Sequence, residues 1–143
     1  MNLAPRGIMA YLAGQMQKIT GNSVARAVSS INPVALTTVG AGTLTAALLA
    51  PGNIIQRTGP IGAFNETLDT AANMTAAYPE IAIGESYICY YSNLVAQTAT
   101  FVAGSGFTLG AIGIPTNAGS GLTNMLVITK VSDIAWTCFV SGN

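Results

Sequence analysis

Leu122-Thr-Asn-Met-Leu-Val-Ile-Thr-Lys-Val-Ser-Asp-Ile-Ala-Trp-Thr-Cys-Phe-Val140 decides how this chain folds. Met125 and Val127 alternate with Leu126 and Ile128, and Trp136, Cys138 and Val140 alternate with Ala135, Thr137 and Phe139, so the stretch predicts two strands about a turn near Lys130–Asp133. Both faces of each strand are largely apolar. Such strands belong in the middle of a sandwich or beneath a neighbouring subunit, because a sheet with one wet face shows a cleaner alternation of apolar and polar residues.

Upstream of this pair the same punctuation recurs. Residues 84–92, 97–103, 107–109 and 111–114 read as short strands, separated by turn signals at Asn93, at Gly104-Ser-Gly106, at Gly110 and at Pro115–Gly119. Asn53–Arg57 reads as a strand, and Val34–Val39 as another. Thr43–Ala50 reads as one or two helical turns capped by Thr43 and stopped by Pro51-Gly52. Asp69 or Thr70 is placed to cap a helix over Ala71–Tyr78 that ends before Pro79. The expected fold is therefore mainly β, an antiparallel β-sandwich or barrel of jelly-roll-like form with one short helix. Residues 1–40 are expected to form an N-terminal arm or short helix contacting partners, and residues 41–143 the β-rich domain. Ile8, Leu12, Met16 and Ile19 have roughly helical spacing, which Gly7 and Gly14 weaken.

Ten of the 143 residues are charged and half are hydrophobic, with mean hydropathy +0.52. At 7% charged, against about 25% in ordinary soluble domains, solubility has to rest on sixteen Thr, nine Ser and ten Asn, or the apolar surface has to be covered in an assembly. Assembly is the expectation. The charges are sorted: Arg6, Lys18, Arg26 and Arg57 give +4 over residues 1–57, whereas Lys130 against Glu66, Asp69, Glu80, Glu85 and Asp133 gives −4 over the rest. This asymmetry suggests a basic segment lying on an acidic partner surface, with Arg6, Tyr11, Lys18, Arg26 and Arg57 as the expected partner-binding residues.

Four dispersed bases are too few for nucleic acid, which takes clustered Lys and Arg. The longest apolar run, Leu44–Ala50, falls far short of the ~20 residues that span a bilayer, so no membrane association is expected. Histidine is absent, which excludes Ser/His/Asp and Cys/His nucleophilic sites and the commonest zinc ligand. Cys89 and Cys138 stand alone and read as buried free thiols. Glu66 and Asp69 are explained by helix capping rather than as a catalytic pair, and the Gly-x-Gly runs lack the lysine a phosphate loop needs. No metal, cofactor or enzymatic activity is expected.

Thr45-Ala-Ala-Leu-Leu49, Gly52–Phe64, Thr67–Ala72, Ala82–Ile88, Thr100–Leu109 and Leu126–Val131 carry a pattern of small-residue spacing. Over roughly residues 44–140 this pattern resembles the capsid decoration, or cement, proteins of tailed bacteriophages. The resemblance implies a β-rich homotrimer made in the host cytoplasm and seated on the outer surface of the virion capsid. There it would stabilise contacts between major capsid subunits. Two other readings compete: a pilus-like or phage fibre subunit that exchanges strands, and a small hydrolase using paired carboxylates.

Overall fold

In the computed structural model, which describes residues 31–112, 117–118 and 120–141, the chain passes back and forth between two sheets. β1 (Asn32–Leu36) lies in one sheet, β2 (Gly42–Leu44) in the other, β3 (Asn53–Arg57) returns to the first and β4 (Phe64–Leu68) to the second. After the helix α1 (Ala71–Ala77) the alternation resumes with β5 (Ser86–Asn93) and β6 (Ala99–Val102). The remaining strands are β7 (Phe107–Ile112), β8 (Asn117–Ala118), β9 (Thr123–Ser132) and β10 (Ala135–Ser141). The larger sheet has the order β1-β3-β5-β9-β10-β7 and the smaller one β2-β4-β6-β8.

The mainly β, two-sheet expectation holds, but the pairing differs from the antiparallel one. Among the described residues β1 with β3, β3 with β5, β2 with β4, β4 with β6 and β7 with β10 pair parallel, and three pairs are antiparallel. The cause is the connections. Loops such as 37–41 and 58–63 carry the chain across the roughly 10 Å between packed sheets instead of folding it back alongside itself. The next strand of the same sheet therefore arrives one full circuit later, running the same way. The first three circuits thus stack like the coils of a parallel β-solenoid, and Asn32 donates from its Nδ2 to Asn53 Oδ1 at 3.2 Å across one coil step. The stretch that opened the sequence reading closes the stack as the β9–β10 hairpin, with Ala135 opposite Ser132.

Strand alternation sets what lies between the sheets. Ile55, Tyr91, Leu126, Ile128, Trp136 and Val140 from the larger sheet and Leu44, Phe64, Leu68 and Phe101 from the smaller one form a single buried cluster. The Tyr91 and Phe101 rings meet edge-on at 5.0 Å. Each large apolar side chain so buried contributes about 1.5–3 kcal/mol relative to exposure.

Thr70 caps α1 by accepting from Asn73 N at 3.2 Å. Asp69 accepts from Thr70 N, Asn73 Nδ2 and Ala46 N, which ties the helix start to the turn after β2. In that turn Leu49 N bonds Thr45 O, so one helical turn does form. Thr43, expected as its cap, lies in β2, and Leu48 N bonds the Thr45 hydroxyl instead.

The boundary expected at residue 40 is also displaced. β1 belongs to the larger sheet, so 32–40 are part of the β domain, and the rest of the expected arm, residues 1–30, lies outside the described residues. No helix among the described residues is long and apolar enough to cross a membrane.

Candidate interaction surface

The two sheets turn unlike faces outward. On the smaller sheet the alternation that buries Leu44, Glu66, Leu68 and Phe101 sends Thr43, Asn65, Thr67 and Thr100 out, with Val102 as the apolar exception. On the larger sheet the same alternation sends out a different set. Along β5 the outward residues are Ser86, Ile88, Tyr90 and Ser92, and strand register extends each of them into a row.

The two inner rows are apolar. Pro33, Ile54, Tyr90 and Met125 align across β1, β3, β5 and β9. Ile88, Val127, Phe139 and Gly110 align across β5, β9, β10 and β7. Ile88 is 41% exposed and Phe139 39%, while Ile54, Tyr90, Met125 and Val127 are half-buried by one another. A Cβ on Gly110 would sit 2.4 Å from Phe139 Cε1, so the phenyl ring covers the bare backbone of this edge strand.

The two outer rows carry no charge and are mostly polar: Ser86, Thr129, Thr137 and Thr108 on one side, and Gln56, Ser92 and Thr123, with Ala35 the apolar member, on the other. Ser86 Oγ and Thr129 Oγ1 lie 2.7 Å apart, and Thr123 Oγ1 donates to Ser92 Oγ at 3.0 Å. Contiguous apolar area without charge marks association surfaces, where charged residues are depleted at the centre.

The expected contact residues fare differently. Arg6, Tyr11, Lys18 and Arg26 lie outside the described residues. Arg57, expected on a partner-facing surface, is instead 0% exposed and sits between the sheets. Its Nε donates to Glu66 Oε1, its Nη1 to the carbonyls of Leu36, Thr38 and Thr58 at 3.2, 2.7 and 3.1 Å, and its Nη2 to Gly40 O. The guanidinium lies 4.9 Å from the Phe64 ring centroid, and Tyr91 Oη donates to Glu66 Oε1 at 3.2 Å. Arg57 is thus a clamp that holds the 36–40 loop onto the core. Gly42 makes room for it, since a Cβ there would meet Glu66 Oε2 at 2.6 Å.

Glu66 is correspondingly not a cap. Burial raises its pKa above the ordinary 4.5, against the pull of Arg57 and the hydrogen bonds from Arg57 and Tyr91, and its Oε2 has no protein partner. Asp69 is a capping carboxylate. Partial burial pushes it up, but the bonds from Asn73, Ala46 and Thr70 outweigh this and hold it below its ordinary 3.8.

Cys89 and Cys138 are free and buried, as expected. Burial pushes the Cys138 thiol up to about 12, and Cys89 is raised too, by burial and by its neighbour Cys138.

Among the described residues no group of three or more His, Cys, Asp or Glu is gathered to hold a metal. A shallow depression of about 340 Å³ at the start of α1, lined by Thr70, Ala71, Ala72, Ser105, Gly106 and Ile134, presents no acid or base. Searches against protein-family models, curated proteins and solved structures find no match to this chain.

Proposed function

We propose that this chain is a virion structural protein of the capsid-decoration kind, one that associates with copies of itself and stabilises contacts between major capsid subunits on the outer surface of the shell. The observation that carries the reading is the uncharged apolar band across the outside of the larger sheet. A chain with so few charges leaves that band in water unless something covers it. The spacing pattern over residues 44–140 that resembles cement proteins supports the same reading. Cementing needs no chemistry: a protein that binds only the assembled lattice adds its binding free energy to that state. Its work would be done by surface, not by a reactive group.

The test is electron microscopy of the native assembly together with size-exclusion elution of the purified chain. Regular nodules on a closed shell support the proposal. A chain that elutes as a monomer and is absent from such shells overturns it, and long filaments transfer the assignment to the fibre reading.

A further inference from the structure

Among the described residues, charge and exposed apolar loop tips lie at opposite ends of the strands. β1, β3 and β5 run parallel and finish in one row, Leu36 beside Arg57 beside Asn93, and β9 starts from the same end, where Asn93 N bonds Leu122 O. The loops leaving this row, 37–41, 58–63 and 94–98, and the lead into β9 carry Val39, Ile61, Leu94 and Leu122, all exposed, Val39 by 72% and Ile61 by 85%. Residues 37–41, 58–63, 94–98 and 120–122 include no acid or base. At the far end Asp69 follows β4, Glu80 and Glu85 precede β5, and Lys130 and Asp133 border the β9–β10 turn. Ile83, Val131 and Ile134 are exposed there too, but among those charges. The remaining described pair, Arg57 and Glu66, is buried. We propose that the uncharged loop end seats shallowly in the surface of an electrically neutral lipid bilayer, with Val39, Ile61, Leu94 and Leu122 entering the headgroup and outer acyl region. Such a contact needs no membrane span. The inference is independent of the decoration reading.

Three observations point to lipid. First, charge is sorted along the strand axis. Lys130 against Asp69, Glu80, Glu85 and Asp133 leaves the far end net negative and bound to water, while the loop end strips no charge of its hydration on leaving water. Second, much of the backbone at the loop end is bonded from inside. Arg57 donates to the carbonyls of Thr38, Gly40 and Thr58, Leu36 O takes the Thr58 N–H, and Arg57 O takes the Leu94 N–H. Asn93 donates from its Nδ2 to Gln97 O at 2.6 Å and accepts from Val95 N at 3.3 Å. Hydrocarbon offers no replacement hydrogen bonds, so a loop enters it only where protein groups satisfy its backbone, a demand that a wet protein interface does not make. Gly59, at φ +108°, also lets loop 58–63 pack on Thr37 O, which a Cβ would meet at 2.4 Å, so neighbouring loops are held together. Third, the shape suits lipid better than protein. The four loops follow neighbouring strands, so their tips spread over only about 14 Å, and separate side chains along such a row fall far short of the ~800 Å² per partner of a standard protein interface. A bilayer closes around protruding side chains without shape complementarity. Thr37, Thr38 and Thr98, exposed between them, are uncharged hydroxyls suited to the headgroup layer.

Flotation of the full-length chain with phosphatidylcholine vesicles tests the contact. The wild type should rise with the vesicles equally at low and high salt, because no ion pair is involved. Val39→Ser/Ile61→Ser should weaken the partition by about tenfold or more, while Ile83→Ser/Ile134→Ser at the charged end leaves it unchanged. Hydroxyl-radical footprinting of the wild type checks the same contact without any substitution: labelling of Leu94 and Leu122 falls when vesicles are added, and labelling of Ile134 does not. A chain that stays below the vesicles at every lipid concentration, flotation that salt abolishes, a folded Val39→Ser/Ile61→Ser that floats like the wild type, or unchanged Leu94 and Leu122 labelling overturns the inference. Protection of these loops in assembled particles but not on vesicles overturns it as well and gives the loop end to a protein partner. Each of these results leaves the decoration reading to its own micrographs.

Discussion

Replacing Arg57 by Met, a side chain of similar length without charge, asks how much the buried clamp contributes. Arg57 and Glu66 are both 0% exposed, so the variant leaves a carboxylate in the core with only Tyr91 donating to it. Removing one partner of a buried pair costs about 3–5 kcal/mol, a large part of the 5–15 kcal/mol that holds a typical domain folded. The carbonyls of Thr38, Gly40 and Thr58 also lose the Arg57 donor, whereas Leu36 O keeps the Thr58 N–H at 3.0 Å, and water reaches the exposed 37–39 loop. Trp136, the sole tryptophan and fully buried, reports unfolding by fluorescence. With a urea slope of about 1–3 kcal/mol/M, the midpoint should fall by roughly 1–5 M.

Two further measurements separate charge from packing. In Arg57→Met the attraction that opposes desolvation is gone, so the Glu66 pKa climbs further. A carboxyl with a raised folded pKa favours the native state more as it takes up a proton, so the variant's deficit should shrink as pH falls from neutral to about 5. The double variant Arg57→Met/Glu66→Leu should recover most of the loss, because an apolar pair leaves no buried charge. A loss below about 1 kcal/mol in the single variant, or a double variant costing the sum of the two singles, would refute the clamp as described.

Asp69 has a lowered folded pKa, so its contribution is present above its ordinary 3.8 and is lost as pH falls through the folded value. Asp69→Asn should flatten the acid limb of a pH–stability curve and lower the plateau above it. Cys89 and Cys138 should resist a thiol reagent at neutral pH until denaturant unfolds the chain, with labelling tracking the Trp136 signal, because burial disfavours both thiolates. Thr75→Val removes the hydroxyl that accepts from Trp136 Nε1 at 2.9 Å and donates to Asp133 O at 2.8 Å, and stranding the indole N–H should cost about 1–3 kcal/mol in the same urea titration.

Strands were legible where their signal was local. Asn53–Arg57 is a strand at its expected bounds, and the β9–β10 hairpin follows the alternation of its own side chains. Parallel pairing was not legible, because each partner lies a full circuit away, Asn32 to Asn53 in one sheet and Thr43 to Thr67 in the other, and α1 lengthens the third circuit. A weak trace exists in hindsight: Asn opens both β1 and β3, and Thr-Leu closes both β2 and β4. The burial of Arg57 was hidden for a related reason. A lone arginine reads as surface, and the pairing is set by Glu66 on the opposite sheet. Alternation nevertheless contained the clue, since Arg57 shares its face with Ile55 and Glu66 shares its face with Phe64 and Leu68. The apolar outer face, by contrast, was foreshadowed by the two-sided hydrophobicity of 122–140.

The edges of the two sheets bear on how copies of the chain associate. Open edges invite strand addition, which builds filaments, and short or interrupted edge strands discourage it. In the smaller sheet the edges are β2, of three residues, and β8, of two. In the larger sheet β1 carries Pro33, which has no N–H to offer a new neighbour, and β7 carries Gly110 beneath the Phe139 ring. Among the described residues every edge is therefore a poor template, while the broad face of the larger sheet stays apolar and uncharged. Face-to-face contact closes after two copies, whereas edge growth has no natural end. This difference favours a discrete unit seated on a larger shell over a fibre subunit. It also makes a further expectation: Pro33→Val, which restores the missing donor on an exposed edge, should raise the tendency to form filaments. Light scattering over time would show it, and an unchanged scattering trace would count against the edge argument.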